Sequence, residues 1–494
     1  MWPSQLYTAQ QSRNLDASAI ASGIDGYSLM CRAGEAAFAL LQRAWPSPSS
    51  LHIVCGMGNN GGDGLVVARL AQTQQIPVAV YLQGDPSRLR GEAFAAYRDA
   101  VAAGVQFLPL PQEPVCDGVI VDALLGTGLS QPVREESARV IHWINRCQAR
   151  VLALDLPSGL CGDSGNEMGC AVHATRTITF IAAKRGLFTG SGVECSGEVT
   201  LAGLDLPAAL YAEVGETVSH PRLADLLALL PPRRRNAHKG DCGHLLVIGG
   251  DHGMGGAALL AASAAARSGA GLVSVATRQE HLPAILSRHP EIMARGVESG
   301  SDLDALLQRA TVIVAGPGLG RSSWSEHLLQ RALASGLPLV LDADALNLLA
   351  ENSRFQRPSG DNHILTPHPG EAARLLGVAT AEIAADRFRS AEAIRTRHGG
   401  TVVLKGAGTV IASPSELALS SYGNPGMASG GMGDVLSGVI GGLLAQKLAP
   451  ADAALLGVAL HGRAADLAAA ADGERGLQAS DLLPYLRSLV NAGV

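Results

Sequence analysis

Cys55-Gly-Met-Gly-Asn-Asn-Gly-Gly-Asp-Gly64 directly follows a continuous apolar run, Leu51 to Cys55, and it is the most informative stretch of the first half of the chain. A glycine-rich turn after a buried strand is typical of an open α/β sheet, whose ligands bind outside the carboxyl ends of the strands. Gly56, Gly58 and Gly61 also match the spacing G-x-G-x-x-G, which lets backbone N–H groups face a pyrophosphate. This spacing is a weak signal alone, because plain tight turns share it.

Apolar runs alternate with alanine-rich helical patterns along both halves of the chain. In the first half the runs are Leu51 to Cys55, Val78 to Leu82, Val119 to Ala123 and Val151 to Leu154. In the second half they are Leu245 to Ile248, Leu272 to Ala276, Val312 to Ala315, Leu339 to Leu341, Ile364-Leu365 and Thr401 to Leu404. Helical patterns lie near 64–75, 88–103, 134–147 and about 433–447, and residues 172–204 resemble shorter strands. Because the runs are continuously apolar, we predict parallel strands covered on both faces in an α/β fold.

The length of 494 residues is enough for two to four domains at roughly 150 residues each. The cluster Leu230-Pro-Pro-Arg-Arg-Arg-Asn236 interrupts the pattern, and we interpret its arginines as a solvated junction rather than a phosphate site. The boundary is placed between about 213 and 236. We expect one domain over residues 1–213 and a second over 222–494.

Composition excludes several classes of protein. A net charge of −6 and an aromatic content of 4% disfavour a general nucleic-acid binder. The N-terminus lacks the pattern of a signal peptide, and no apolar stretch reaches the roughly 18 residues of a membrane span, so we expect a cytoplasmic protein without a membrane or nucleic-acid partner. The eight cysteines include no Cys-x-x-Cys pair and no cluster with zinc spacing, and we interpret them as free thiols.

Acidic residues in three glycine-bearing loops of the first half point to a binding site. Asn59, Asn60 and Asp63 follow the apolar run Leu51 to Cys55. The segment Asp122-Ala-Leu-Leu-Gly-Thr-Gly-Leu-Ser-Gln-Pro132 begins at the end of the run Val119 to Ala123, and Asp155-Leu-Pro-Ser-Gly159 follows the run Val151 to Leu154. Each loop alone is compatible with a structural turn. Together they place oxygen ligands at one edge of the sheet, which suits a hard cation beside a phosphate.

These three motifs resemble the signature of NAD(P)H-hydrate epimerases, over residues 1–213. The resemblance implies a Rossmann-like three-layer fold and a potassium ion at Asn60, Asp122 and Ser158. It implies that Asp155 contacts the substrate and is the candidate acid/base of epimerisation. It also implies that the hydrated dinucleotide contacts two segments: Asn59, Asn60, Gly61, Gly62 and Asp63, then Gly126, Thr127, Gly128, Leu129, Ser130, Gln131 and Pro132.

The second half has a pattern typical of phosphoryl transfer without a P-loop motif. Gly316-Pro-Gly-Leu-Gly320 and Lys405-Gly-Ala-Gly-Thr409 each follow a predicted strand, and Asn424-Pro-Gly-Met-Ala-Ser-Gly-Gly-Met-Gly-Asp434 enters a helix. The last glycines free the backbone to form an anion-binding nest, and Asp434 in the first turn can accept a proton from an alcohol. A purely structural role at the positive end of the helix dipole is the alternative for Asp434.

Thr366-Pro-His-Pro-Gly-Glu371 is a second polar loop after a predicted strand. Its Glu371 could help to hold nucleotide-bound Mg²⁺. His368 could hydrogen-bond a substrate, although a single histidine is more often structural.

The second-half motifs, with His238-Lys-Gly-Asp241, resemble ADP/ATP-dependent NAD(P)H-hydrate dehydratases of the ribokinase-like superfamily, over about residues 222–494. His368 stands where related vitamin kinases usually have Asn, which favours the dehydratase branch. The resemblance implies an ADP-using enzyme with Mg²⁺. It assigns to the hydrated dinucleotide Ala257, Gly318 or Gly320, His368 and Asp434. It assigns to the adenine nucleotide Lys405, Gly406, Ala407, Gly408, Thr409 and Gly433.

Together the resemblances imply an isomerase and a lyase on one chain that repairs the hydrated cofactors NADHX and NADPHX, as a homo-oligomer, with a tetramer expected from the family. In this scheme Asp434 deprotonates the C6 hydroxyl for attack on the β-phosphate of ADP. Phosphate then leaves, and AMP and NAD(P)H are formed. Epimerisation would make both C6 epimers available to this step.

Three other interpretations remain open from the residues alone. The chain could be a small-alcohol kinase with a regulatory Rossmann domain. The first domain could be a scaffold or an RNA-linked module without catalysis. An ordinary NAD dehydrogenase is the third, although Asp63 fits poorly beside its cofactor phosphates and no proton-relay site is evident.

Overall fold

A computed structural model of the protein describes residues 2–115, 117–129, 131–352, 355 and 360–492. The chain forms two compact units, Met1–Val218 and Ser219–Val494. Each unit is an α/β structure with its own sheet, as the alternating pattern predicted.

The first unit is built on a seven-stranded sheet of order β4-β3-β2-β5-β6-β7-β8, in which every neighbouring pair is parallel. The strands of this sheet are β2 (Leu51–Cys55), β3 (Val78–Leu82), β4 (Gln106–Phe107), β5 (Val119–Ala123), β6 (Arg150–Leu154), β7 (Arg176–Phe180) and β8 (Glu198–Ala202), and the short strand β1 (Gln5–Leu6) lies outside it. Its helices are α1 (Ala9–Ala21), α2 (Gly26–Ala44), α3 (Asn59–Thr73), α4 (Gly91–Ala102), α5 (Glu135–Arg146), α6 (Gly192–Cys195) and α7 (Ala208–Ala212).

Helices cover both faces of this sheet, which gives three layers. Ile53 of β2 pairs in register with Val80 and Val121, and all three are buried among residues of α2, α3 and α4. On the opposite face, Ile141 of α5 packs with Ile120 of β5 in a second apolar cluster. The continuous burial of β2 and β5 confirms the prediction of parallel strands covered on both sides.

The glycine-rich stretch after β2 is mostly helix rather than loop, because α3 already begins at Asn59. Its glycines permit close packing of the backbone. A Cβ on Gly61 would lie 2.0 Å from the Gly56 carbonyl oxygen, and one on Gly64 would lie 2.6 Å from the Ala123 side chain. The predicted start near residue 64 was therefore wrong by about one turn, because glycine signals close approach as well as a turn.

Gly61→Ala is expected to destabilise the first unit by about 1–3 kcal/mol, because the new methyl group overlaps the Gly56 carbonyl. Gly58→Ala is the matched control, since a Cβ there meets nothing within 4 Å and its φ of −98° is ordinary. Urea unfolding followed by far-ultraviolet circular dichroism measures both variants. Equal midpoints for the two would contradict the packing role of Gly61.

The second unit has a mixed sheet of order β9-β18-β17-β16-β15-β14-β13-β10-β11-β12. Its strands are β9 (Val218–Ser219), β10 (His244–Ile248), β11 (Leu272–Thr277), β12 (Met293–Gly296), β13 (Val312–Ala315), β14 (Leu339–Leu341), β15 (His363–Leu365), β16 (Thr401–Leu404), β17 (Thr409–Ala412) and β18 (Leu417–Ser420). Its helices are α8 (Leu223–Leu226), α9 (Gly255–Ser268), α10 (Leu282–Arg288), α11 (Asp304–Leu307), α12 (Ser323–Ala334), α13 (Ala343–Glu351), α14 (Pro369–Leu376), α15 (Thr380–Ala385), α16 (Arg387–His398), α17 (Met432–Ala445), α18 (Pro450–Asp472) and α19 (Leu482–Leu489).

Strand β17 is antiparallel to both of its neighbours, β16 and β18, and neither β17 nor β18 was among the predicted runs. The connections explain this direction. Four residues separate each pair, and such short links can only join antiparallel strands, because a parallel crossover needs a dozen or more. All six predicted runs of this half are strands.

Helices α9, α17, α18 and α19 form the apolar core of the second unit. Gly438 of α17 lies so close to α9 that a Cβ would sit 2.1 Å from the Ala261 carbonyl oxygen. By length and composition α18 could cross a membrane, but 72% of its most apolar stretch is buried inside the unit, as in the core helix of a globular protein. The tight α17–α9 contact fixes the start of α17 beside the sheet.

Candidate functional sites

A cavity of about 840 Å³ opens at the carboxyl ends of β2, β5 and β6 in the first unit. The predicted substrate residues that line it are Asn59, Asn60, Asp63, Gly126, Thr127, Gly128, Leu129, Gln131, Pro132 and Asp155. Gly61 and Gly62 do not line it, since they face backbone and side chains within the unit. Ser130 lies outside the described residues. The three acidic loops thus meet at one edge of the sheet.

Asn60, Asp122 and Ser158 meet below this cavity, around the backbone of Leu125. The Asp122 carboxylate accepts hydrogen bonds from the Ser158 backbone at 2.8 Å and from its hydroxyl at 2.6 Å. The Asn60 amide donates to the Leu125 carbonyl at 3.0 Å, and the Leu125 N–H donates to the Ser158 hydroxyl oxygen at 2.8 Å. The Asn60 Oδ1 atom is buried and has no hydrogen-bond partner in the described part of the chain. An orphaned oxygen among carbonyl, hydroxyl and carboxylate oxygens fits a hard cation.

Burial raises the pKa of Asp122 to about 6, although hydrogen bonds from Ser158 oppose this shift. A bound cation would favour the ionised form of such a buried carboxyl group. The raised pKa is therefore consistent with a site that is completed by a positive charge.

Asp155 pairs with Lys184, a residue that the motifs did not indicate. Lys184 follows β7, and its ammonium group donates to the Asp155 carboxylate. Asp155 itself follows β6 with a φ of +64°, a left-handed conformation that is uncommon outside glycine. Asp16 and Glu92 also line the cavity, so its inner wall carries several carboxylates and one buried lysine among the described residues. The available sequence signal was a lysine four residues after the end of a buried strand.

In the second unit the glycine loop after β13 lies against the start of α9. A Cβ on Gly318 would be 3.1 Å from the Ala257 side chain, which brings together two predicted substrate residues. The Gly320 N–H donates to the Asp344 carboxylate at 2.9 Å. Both glycines have φ values in the left-handed region, +57° and +72°, so other residues would strain this loop.

Asp434 lies in the first turn of α17, after Gly431 with a φ of +89°. Burial, followed by the neighbouring Asp342 carboxylate, raises the pKa of Asp434 to about 7, while Lys405 opposes the shift. A Cβ on Gly433 would lie 3.3 Å from the Lys405 ammonium. The helix start and the loop after β16 therefore meet, and the resemblance had assigned residues of both segments to the adenine nucleotide.

Lys405 is the positive charge among these carboxylates. Its ammonium lies 2.8 Å from Asp342 and 3.9 Å from Glu371. Burial lowers the pKa of Lys405, but the two carboxylates outweigh it, so the net shift is upward. Asp342, at the end of β14, was not identified from the sequence.

Glu371 and His368 cap helix α14 together. The His368 N–H donates to Glu371 at 2.8 Å, and the His368 Nδ1 accepts the Gly370 N–H at 2.9 Å. Burial, followed by Lys405, lowers the pKa of His368. Because Nδ1 accepts a backbone N–H, the ring proton is on Nε2. Glu371 is buried in this cap, and burial raises its pKa.

Arg387, the first residue of α16, holds the predicted nucleotide loop. Its guanidinium donates to the carbonyls of Leu404, Ala407 and Gly408, at 3.2 Å and 2.7 Å for the first and last. Burial lowers the pKa of Arg387 to about 10. These hydrogen bonds fix the backbone of the loop after β16.

Comparisons with known proteins match different families to the two halves of the chain. A family model described as NAD(P)H-hydrate dehydratase matches residues 245–487, and one described as YjeF-related protein N-terminus matches residues 26–186. The second unit is similar to the crystal structure of the ADP/ATP-dependent NAD(P)H-hydrate dehydratase of Bacillus subtilis co-crystallised with ATP/Mg²⁺. That match has 34% identity, a TM-score of 0.51, and covers 55% of this chain and 97% of that one.

Whole-chain relatives carry both units. The chain is 51% identical to the bifunctional NAD(P)H-hydrate repair enzyme Nnr of Coxiella burnetii, over 98% of this chain and 99% of that protein. It is 46% identical to the enzyme of that name from Escherichia coli, over 96% of this chain and 91% of that protein. The chain therefore belongs to the family of bifunctional NAD(P)H-hydrate repair enzymes, with an epimerase in its first unit and a dehydratase in its second.

Proposed function

We propose that the cavity of the first unit is the epimerase site and that Asp155 is its acid/base. The supporting observation is that the three acidic loops line one cavity, with Asp155 on its inner wall. The cavity-lining residues of the two segments would then bind the hydrated dinucleotide: Asn59, Asn60, Asp63, Gly126, Thr127, Gly128, Leu129, Gln131 and Pro132. Inversion at C6 of the nicotinamide ring requires the C6–N1 bond or the C6–O bond to break and re-form, by ring opening or by loss and return of water. A carboxylate beside C6 can take up and return the proton that either route moves, so epimerisation consumes no co-reactant.

We propose that Asn60, Asp122 and Ser158 hold a potassium ion under this cavity. The buried and unpartnered Asn60 Oδ1 supports the assignment, together with the oxygen atoms around it. The ion would neutralise charge near the substrate phosphates. Asn60 would at the same time keep the loop after β5 in place through the Leu125 carbonyl.

Replacing potassium by choline is expected to lower the epimerisation rate, and Asp122→Asn is expected to weaken potassium activation by roughly 10–100-fold, the range seen when metal-site partners are removed. Potassium should also raise the unfolding temperature of the wild type and not that of Asp122→Asn. Asp117→Asn, an exposed position on the same unit, is the control. A thermal shift that is equal in all three proteins would contradict the assigned ligands.

We propose that the second unit dehydrates the S epimer with ADP as phosphoryl donor, with ATP as the alternative nucleotide, and that Asp434 is the base. The position of Asp434 at a glycine-rich helix start, beside Lys405, supports this role. Deprotonation by Asp434 directs the C6 oxygen to the β-phosphorus. The N–H groups of the helix start stabilise the charge that develops on the phosphoryl oxygens.

Phosphorylation converts the hydroxyl group into a good leaving group. The ring nitrogen then expels phosphate, and loss of a proton from C5 forms the C5=C6 double bond, so that AMP, phosphate and NAD(P)H remain. Ala257, Gly318 or Gly320, and His368 would orient the dinucleotide, with the His368 Nε2–H as a donor. Gly406 to Thr409, with Lys405 and Gly433, would bind the adenine nucleotide.

We propose that Mg²⁺ enters with the nucleotide. The oxygens of Glu371 are engaged by the cap of α14 and face Lys405, so Glu371 fits an outer role through water better than direct ligation. Family membership further supports a cytoplasmic homo-oligomer, a tetramer, that accepts both NADHX and NADPHX.

The dehydration reaction should have an acid limb near pH 7 in kcat/KM, which reports groups of the free enzyme. The pKa of Asp434 is raised to about 7, so the base is protonated below this pH and the rate falls tenfold per unit. Stopped assays between pH 5.5 and 9 measure the profile. The contrary result is a value of kcat/KM that stays constant down to pH 5.5.

A further inference from the structure

Lys184 is among the largest fully buried side chains of the protein, with 1% of its side chain exposed. Its ammonium donates to three acceptors: the Asp155 carboxylate, the Thr179 hydroxyl oxygen at 3.1 Å and the Phe180 carbonyl at 2.9 Å. An ammonium group has three donors and no acceptor, so three acceptors match the charged form. The side chain is thus a fixed cation at the inner end of the cavity.

The ion pair between Lys184 and Asp155 links the carboxyl ends of the neighbouring strands β6 and β7, and each strand is followed by a residue with a positive φ. Asp155 follows β6 with a φ of +64°, and Ile181 follows β7 with the same φ. The left-handed region is especially unfavourable for a β-branched residue such as isoleucine. Such conformations cost about 1–3 kcal/mol each and cluster at functional sites. The surrounding structure therefore holds the Asp155 carboxylate in one place, with 13% of its side chain exposed to the cavity.

The other charged groups around the cavity are mostly acidic. Asp16 on α1, Asp63 on α3 and Glu92 on α4 line it, and Arg13 and Arg134 line its outer part. Burial raises the pKa of Asp63 well above its usual value, with Asp155 adding to the shift, and burial with Glu92 raises the pKa of Asp16. Asp155 differs from Asp63 and Asp16 in having a direct ion pair with Lys184.

We infer that Lys184 is a positioning residue of the epimerase: its ammonium keeps Asp155 as an oriented carboxylate among competing acidic groups, so that Asp155 can serve as the base. This inference rests on the proposed role of Asp155. A buried ion pair is a poor source of stability compared with apolar packing. A role in the chemistry of Asp155 explains why a lysine fills this part of the core.

The test compares Lys184→Met and Lys184→Arg with the wild type. Interconversion of the R and S forms of NADPHX is followed by chromatography without nucleotide, so that dehydration does not consume substrate. For Lys184→Met we expect kcat to fall at least about 100-fold and KM to stay within about threefold. Lys184→Arg, which keeps the charge, should recover part of kcat.

Dehydration of the S form by the same samples shows that the second unit is active, and urea unfolding shows whether the first unit is folded. If Lys184→Met unfolds that unit, Asp155→Asn/Lys184→Met removes both charges. A folded double variant that is no slower than Asp155→Asn alone supports the inference. A folded Lys184→Met variant with unchanged kcat, or with a change in KM alone, overturns it. Retained epimerisation in Asp155→Asn would instead overturn the proposed role of Asp155.

Discussion

Asp434→Asn is expected to lower ADP-dependent dehydration by about 10²–10⁴-fold, the usual contribution of a general base, and to leave epimerisation unchanged. The amide is nearly isosteric with the carboxyl group but accepts no proton at neutral pH. Removal of a buried carboxyl group beside Asp342 also relieves repulsion, so the second unit should remain folded. The measurement is recovery of reduced-nicotinamide absorbance from the S form with ADP and Mg²⁺.

Asp472→Asn is the matched control, because this carboxylate is exposed at the end of α18. It should leave both activities within twofold. Dehydration at more than a tenth of the wild-type rate in Asp434→Asn would show that Asp434 is a structural residue at the helix start.

Asp155→Asn is expected to lower epimerisation by a similar factor of about 10²–10⁴ and to leave dehydration of the S form unchanged. The reason is that the cavity would lose its one carboxylate paired with Lys184. With a mixture of epimers, absorbance should then recover quickly only to the S fraction. Slow spontaneous epimerisation would supply the rest.

Removal of one partner from a buried ion pair can cost about 3–5 kcal/mol, so urea unfolding must accompany this assay. Asp117→Asn serves as the control on the same unit. Full and rapid recovery of absorbance in a folded Asp155→Asn variant would contradict the proposed acid/base.

Much of the fold could be predicted from the sequence because buried parallel strands are continuous apolar runs. Val78–Leu82 and Val119–Ala123 are strands with the predicted bounds. The beginning of α3 was missed because glycine suggests a turn, whereas Gly61 and Gly64 are required by close packing. The antiparallel strands β17 and β18 are short, and their connections rather than their composition set their direction.

The site motifs predicted which loops meet, but not the residues that fix them. Asp342, Lys184 and Arg387 act through contacts with residues 63, 29 and 17 to 21 positions away. Such contacts depend on the order of strands in the sheet and on the packing of helices, which a local pattern does not specify. Buried charges far from any glycine motif were therefore found only in the structure.

The central claim is that one chain carries two separate active sites, and mixing two single-site variants tests it most directly. Asp155→Asn and Asp434→Asn are combined in equal amounts with both epimers of hydrated NADH, ADP, Mg²⁺ and potassium. We predict that the mixture restores absorbance from the whole epimer pool, whereas Asp155→Asn alone stops near the S fraction and Asp434→Asn alone restores none. A mixture that stops near the S fraction would contradict two independent sites.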